Sequence, residues 1–74
     1  MNNQRRKDIA KAVDLIDQAR EILEGVRDEE QDVLDNMPEN LQNSERYETI
    51  DENVSVLEDA LDSLEDASCR VEEL

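Results

Sequence analysis

Histidine, tryptophan and phenylalanine are absent from this sequence, and glycine, proline, cysteine and tyrosine occur once each. Each gap removes a class of function. Without histidine there is no imidazole base, and nothing to activate the one thiol, Cys69, which falls on an outer helical position. A lone cysteine closes no internal disulfide, so a disulfide-stapled secreted framework is not expected. One glycine, Gly25, cannot build a phosphate-cradling loop. Long apolar runs are missing as well. Arg5, Arg6 and Lys7 follow Met1 with no hydrophobic segment behind them, so neither a signal peptide nor a membrane span is expected, and the expected location is cytoplasmic.

What the chain has in excess is negative charge. Its 22 Asp and Glu against 8 Lys and Arg give a formal net charge of −14. Direct binding to nucleic acid or to an anionic membrane is therefore disfavoured, and basic protein surfaces become the expected partners. High charge with a single aromatic, Tyr47, is also a mark of disorder. Leu, Ile and Val nevertheless supply 18 of the 74 residues and fall at regular spacing, as an ordered chain requires. So short a chain forms one domain, residues 1–74, whose own core yields only a few kcal/mol.

The apolar spacing is helical. Ile9, Ala12, Ile16, Ala19, Leu23, Val26, Val33 and Met37 follow steps of three and four with one position missed at Glu30, and predict a helix seam. Tyr47, Ile50, Val54, Leu57, Leu61, Leu64 and Val71 form a second seam, with Ser68 as its small polar member. Between them, Asn36 to Ser44 holds the only proline and three asparagines and breaks both periods. The fold expected is all-α, a two-helix antiparallel hairpin of coiled-coil type. Helix one is placed near 5–36, the turn near 37–43 and helix two near 44–73. Pro38 suits the start of a short extra turn, and Ser44 suits an N-cap with Glu45 and Glu48 at the positive end of the helix dipole.

With Ile9 and Tyr47 as heptad position a, the charges sort into rows. In helix two the f row is Glu45, Glu52, Asp59, Asp66 and Glu73, and the e row is Asp51, Glu58, Glu65 and Glu72. All are acidic. The e row of helix one carries Arg6, Arg20 and Arg27, together with Val13 and Leu34. Antiparallel packing is expected to set Arg27 near Glu58 and Arg20 near Glu65, as a register device more than a source of stability.

Charge is divided unevenly along the chain too. Residues 1–27 have five acids and six bases, whereas residues 28–74 have seventeen acids and only Arg46 and Arg70. Helix two has eleven acids between Glu45 and Glu73. At a rise of roughly 1.5 Å per residue this is about one negative charge per 4 Å, close to the roughly 3.4 Å spacing along one DNA strand. An acidic ridge of this kind fits a DNA-mimic inhibitor that occupies the DNA-binding groove of a DNA-handling enzyme. The plainer alternative is a solvated face that keeps a small helical protein soluble. Candidate partner-binding residues on the ridge are Glu45, Glu48, Asp51, Glu52, Asp59, Asp62 and Asp66.

Catalysis and cofactors are not expected. The run Asp28-Glu29-Glu30-Gln31-Asp32 lacks the glycine and terminal glutamate of a calcium loop, so no metal is expected there. A two-helix hairpin also encloses no pocket in which carboxylates become an acid and a base.

The stretch from Arg27 to Asp32, followed by Asp35-Asn36-Met37-Pro38-Glu39-Asn40-Leu41-Gln42 and Ser44-Glu45-Arg46, resembles a family of short acidic helical proteins of bacteriophages and prophages. Most of that family has no assigned function, so the resemblance implies a phage origin and a bacterial host cytoplasm. Small acidic phage proteins include DNA mimics that block restriction enzymes, CRISPR nucleases, nucleoid proteins and uracil-DNA glycosylase. Glu48-Thr49-Ile50 is similar to the Glu-Ser-Ile element of uracil-DNA glycosylase inhibitors, which implies host uracil-DNA glycosylase as the partner. It also implies an apolar pocket beside the acidic contacts, for which a splayed hairpin end at Val33, Met37, Leu41, Tyr47 and Ile50 is the candidate.

A second reading stays open. Val13, Leu15, Ile22 and Leu34 beside the first seam, and Ala60, Ala67 and Leu74 beside the second, make each helix apolar over a wider stripe than one partner helix covers. A homodimeric four-helix bundle would bury that excess, and the chain would then be a dimerisation or assembly module without DNA mimicry.

Overall fold

A computed structural model describes all 74 residues. It contains two long helices, one short 3-10 turn and no strand, an all-α helical hairpin. Helix α1 spans Asn3–Asp35 and helix α2 spans Glu45–Glu72, joined through a 3-10 turn at Glu39–Leu41. The molecule measures 60 × 15 × 13 Å, with a radius of gyration of 17.2 Å. A globule of this length would have a radius near 11 Å. The hairpin is thus a rod, and most of its side chains meet water.

Local chemistry explains where each helix starts and stops. Asn2 caps α1, its Oδ1 accepting the Arg5 backbone N–H at 2.8 Å, which starts the helix two residues earlier than periodicity alone suggests. At the other end Asn36 donates both its backbone N–H (3.1 Å) and its side-chain Nδ2 (2.8 Å) to the Asp32 carbonyl. Pro38 then prevents continuation, since the residue before a proline is driven out of the α region. Pro38 itself is extended (φ −57°, ψ 146°) and stands just before the 3-10 turn, one place earlier than expected for it. Ser44 caps α2 as its sequence position predicts, its Oγ accepting the Tyr47 N–H at 3.2 Å. Glu45 and Glu48 lie in the first turn of α2 and Arg70 in the last, all three suited to the helix dipole.

The seam of α2 is the expected one. Ile50, Val54, Leu61 and Ser68 are buried, with Tyr47, Leu57, Leu64 and Val71 half-buried between them. The seam of α1 is the expected one only in its a row and at Ala19, which are half-buried. Val13 and Leu34 are its buried residues, and the row facing α2 runs Ile9, Val13, Ile16, Arg20, Leu23, Arg27, Glu30, Leu34 and Met37. Ala12, Val26 and Val33, expected inside, are exposed. Heptad rows a and e therefore form this seam in place of a and d, a rotation of the helix by roughly 50°.

Two physical gains account for the rotation. Val13 and Leu34 fill more volume against α2 than Ala12 and Val33 would. Arg20 and Arg27 also come to lie half-buried on the side of the acidic e row of α2, where their aliphatic stems add apolar cover. The accompanying cost is visible at Arg20, whose Nε is buried without a hydrogen-bond partner. No large side chain in the protein is completely buried.

The tightest packing lies at the closed end, where Leu34, Ile50 and Val54 form a cluster with Met37 and Tyr47 against it. The end is therefore shut by its own side chains, not splayed into an apolar pocket. Neither helix is long and apolar enough to cross a membrane.

Substitutions in the two halves of the seam should have opposite signs. Leu61→Ala should lower the unfolding free energy by about 2 kcal/mol, the low end for a buried leucine. Arg20→Leu should raise it by about 1 kcal/mol, by removing an unpartnered buried donor and extending the apolar seam. Urea melts followed by circular dichroism measure both, and a destabilised Arg20→Leu protein would contradict this account of the seam.

Candidate functional site: an acidic helical face

The eleven carboxylates of α2 and its cap occupy three neighbouring heptad rows and no others. Asp51, Glu58, Glu65 and Glu72 form row e, Glu48 and Asp62 row b, and Glu45, Glu52, Asp59, Asp66 and Glu73 row f. All eleven are exposed. The rows between them and the seam on the opposite side hold Thr49, Asn53, Val56, Ala60, Ser63 and Ala67, with Arg46 and Arg70. The helix is thus split lengthwise into a charged side and a nearly neutral one. Periodicity in row b adds Glu48 and Asp62 as the bridge that makes rows e and f one surface.

Neutralisation of this face from within the fold is slight. Arg20 reaches Glu65 at 4.0 Å and divides itself with Asp17 at 3.6 Å. Arg27, expected beside Glu58, instead turns to its chain neighbour Asp28, with Nη2 at 3.1 Å and Nε at 3.2 Å. A carboxylate on the next residue is reached without ordering a long side chain across the groove, which explains the preference. The f row has one basic partner within its own helix: Arg70 Nε donates to Asp66 Oδ2 at 3.0 Å across one helical turn. These exposed or half-exposed pairs screen little. Glu45, Glu48, Asp51, Glu52, Glu58, Asp59 and Asp62 make no salt bridge, so the face is most strongly anionic over the first two-thirds of α2.

The turn-end candidates divide differently. Met37 and Tyr47 are half-buried against the Leu34 cluster, and Ile50 is 8% exposed within it. Ile50 therefore serves the core and cannot present its side chain to a partner, because the d row it belongs to faces α1. Leu41 (46% exposed) at the turn and Val33 (38%) on the outer side of α1 remain accessible. Glu30, half-buried on α1, accepts a hydrogen bond from Asn53 Nδ2 at 3.4 Å, tying the two helices at this end. Thr49 is turned back on its own helix, its Oγ1 donating to the Glu45 carbonyl at 3.0 Å.

No three Cys, Asp or Glu side chains converge in a way that would hold a metal ion. Cys69 is free and exposed. Comparison of the chain with protein families, with curated proteins and with solved structures gives no match.

An unneutralised face of this density works against its own folding at low salt. Raising sodium chloride from about 0.02 to about 0.5 M shortens the screening length from roughly 20 Å to roughly 4 Å and should raise the melting temperature. In the Glu52→Gln, Asp59→Asn variant the low-salt melting temperature should be higher and the salt response smaller. An equal response in both proteins would show that the face is not the seat of the repulsion.

Proposed function

We propose that the protein is an acidic DNA mimic that seats the carboxylate face of α2 in the basic DNA-binding groove of a DNA-handling enzyme and so excludes DNA. The observation that carries this reading is the confinement of eleven exposed acids to one side of a rigid helix, most of them without a basic partner. A solubilising surface needs charge but no such segregation. Carboxylates already fixed on a helix lose less freedom on docking than those of a flexible tail. Competition with DNA follows directly, because lysines and arginines that pair with these carboxylates are no longer free for phosphates.

Host uracil-DNA glycosylase is the target this reading puts first, on the resemblance of Glu48-Thr49-Ile50 to the inhibitor element. With Ile50 committed to the core, Glu48, Asp51 and Glu52 supply the contacts here, and Leu41 is the exposed apolar side chain at the turn. Binding is expected to fall steeply with salt and to act chiefly on association rate at the edges of the face.

The test is inhibition of uracil excision from double-stranded DNA by the purified chain. Inhibition relieved by excess uracil-free DNA, and weakened at least about ten-fold by Glu48→Gln, Glu52→Gln, Asp59→Asn with helicity unchanged, supports the proposal. If the triple variant inhibits as well as the parent, the carboxylate face is not the mimic. If the parent neither inhibits this enzyme nor competes with DNA for any basic-groove protein recovered from bacterial lysate, DNA mimicry is refuted.

A further inference from the structure

Rotation of α1 onto its a and e rows leaves a second helix-accepting stripe on the outside of the molecule. The exposed Ala12, Leu15, Ile22, Val26 and Val33, with the half-buried Ala19, follow one another at steps of three and four, interrupted only at Glu29. Such steps are the pattern that a packed neighbouring helix requires. Here Leu15 is 56% exposed and Ile22 68%. Across the hairpin Val56, 60% exposed, lines one shallow groove with Val26, Glu30, Asn53 and Leu57. Apart from Glu30, the stripe thus continues onto the neutral side of α2, away from the carboxylates of that helix.

We propose that this stripe is covered by a second copy of the chain, α1 packing antiparallel on α1 of the partner subunit to form a four-helix bundle. The occupant and its direction are argued from charge. Along α1 the bases Arg5, Arg6, Lys7 and Lys11 lie at the start and the acids Asp28, Glu29, Asp32 and Asp35 at the end. The row bordering the stripe reads Gln4, Lys11, Gln18, Gly25 and Asp32. A two-fold axis near its centre sets Lys11 against Asp32 of the partner subunit and Gln18 against Gly25 of the partner subunit, whereas a parallel arrangement gathers the basic starts of both helices at one end and their acidic ends at the other. Like-charged chains can associate through this face because it is the least acidic side of the rod, and the carboxylate faces of both copies stay outside.

Gly25 supports the same placement. A Cβ added there meets nothing within 4 Å, so the single hairpin offers no packing reason for the poorest helix former other than proline. Beside the two-fold axis a missing side chain lets the two backbones approach. The stripe is about 30 Å long at a rise of about 1.5 Å per residue, enough for six apolar layers.

Sedimentation equilibrium of the full chain at about 50 μM tests the proposal. A mass near twice 8.5 kDa is expected. Ile22→Glu should weaken the dimer at least about ten-fold with helical circular dichroism retained, as expected for charge placed at the centre of an interface. Lys11→Glu should weaken it less, and Lys11→Glu with Asp32→Lys should restore it, which only the antiparallel arrangement allows. A monomeric parent overturns the proposal, as does a dimer indifferent to Ile22→Glu, and failure of the double exchange to rescue overturns the orientation. Glu52→Gln, Asp59→Asn should leave the mass unchanged, so loss of inhibition and loss of dimerisation are separable results.

Discussion

Closure of the hairpin at Leu34, Ile50 and Val54 sets the rotation of both helices, and the remaining features follow from that rotation. Leu34 belongs to the e row of α1, so burying it commits the same row for the whole length of the helix. Val13 is thereby carried inward at the far end, and Arg20 and Arg27 are drawn into the middle. The d row is turned outward by the same movement. A single packing choice near the turn therefore decides both what the hairpin buries and what it leaves for other molecules.

Packing and electrostatics divide the work between the two helices. In α2 the apolar seam and the acidic side are separated cleanly, and the helix needs only one apolar neighbour along its length. In α1 the seam is mixed: Arg20, Arg27 and Glu30 stand where a stronger core would have leucine. Polar side chains there have geometric preferences that aliphatic ones lack, since Arg20 reaches Glu65 and Glu30 meets Asn53 in one register only. The arrangement trades core energy for alignment, a use of buried polar groups known from coiled coils. Charge on α2 is left almost uncompensated, and a helix with so little internal need for its carboxylates is well suited to offering them elsewhere.

Much of the fold is legible in the sequence because its signals are local. Ser44 announces the start of α2 by its side-chain chemistry, Pro38 with the flanking asparagines marks the turn, and the a and d rows of α2 contain almost all its large apolar residues. The acidic face is legible for the same reason, as it depends on the period of one helix. The rotation of α1 is not, because this helix carries apolar residues in rows a, d, e and g and its own sequence favours no pair of them. The choice rests on volumes presented by α2 and on Arg20 finding Glu65, which are properties of the pair. Ile50 shows a related ambiguity: one residue cannot be both a seam position and a partner contact, and burial decides for the seam. Arg27 departs from Glu58 because Asp28 is adjacent in the chain, a competition that heptad rows do not represent.

The order in which the hairpin assembles is a further property of the cluster at the turn. Loop closure is least costly between residues near each other in the chain, so Leu34 and Ile50 meet across a short segment whereas Ile9 and Val71 must close almost the entire chain. Folding that starts at the turn and advances outward forms each later contact with the earlier ones already in place, a zipper with one free end. The free end, where Ile9 and Val13 lie in a shallow groove with Val71 and Leu74, is then the last part to form and the first to open. Amide exchange should consequently grow faster with distance from the turn, giving a rod that breathes at its tip while its closed end stays shut.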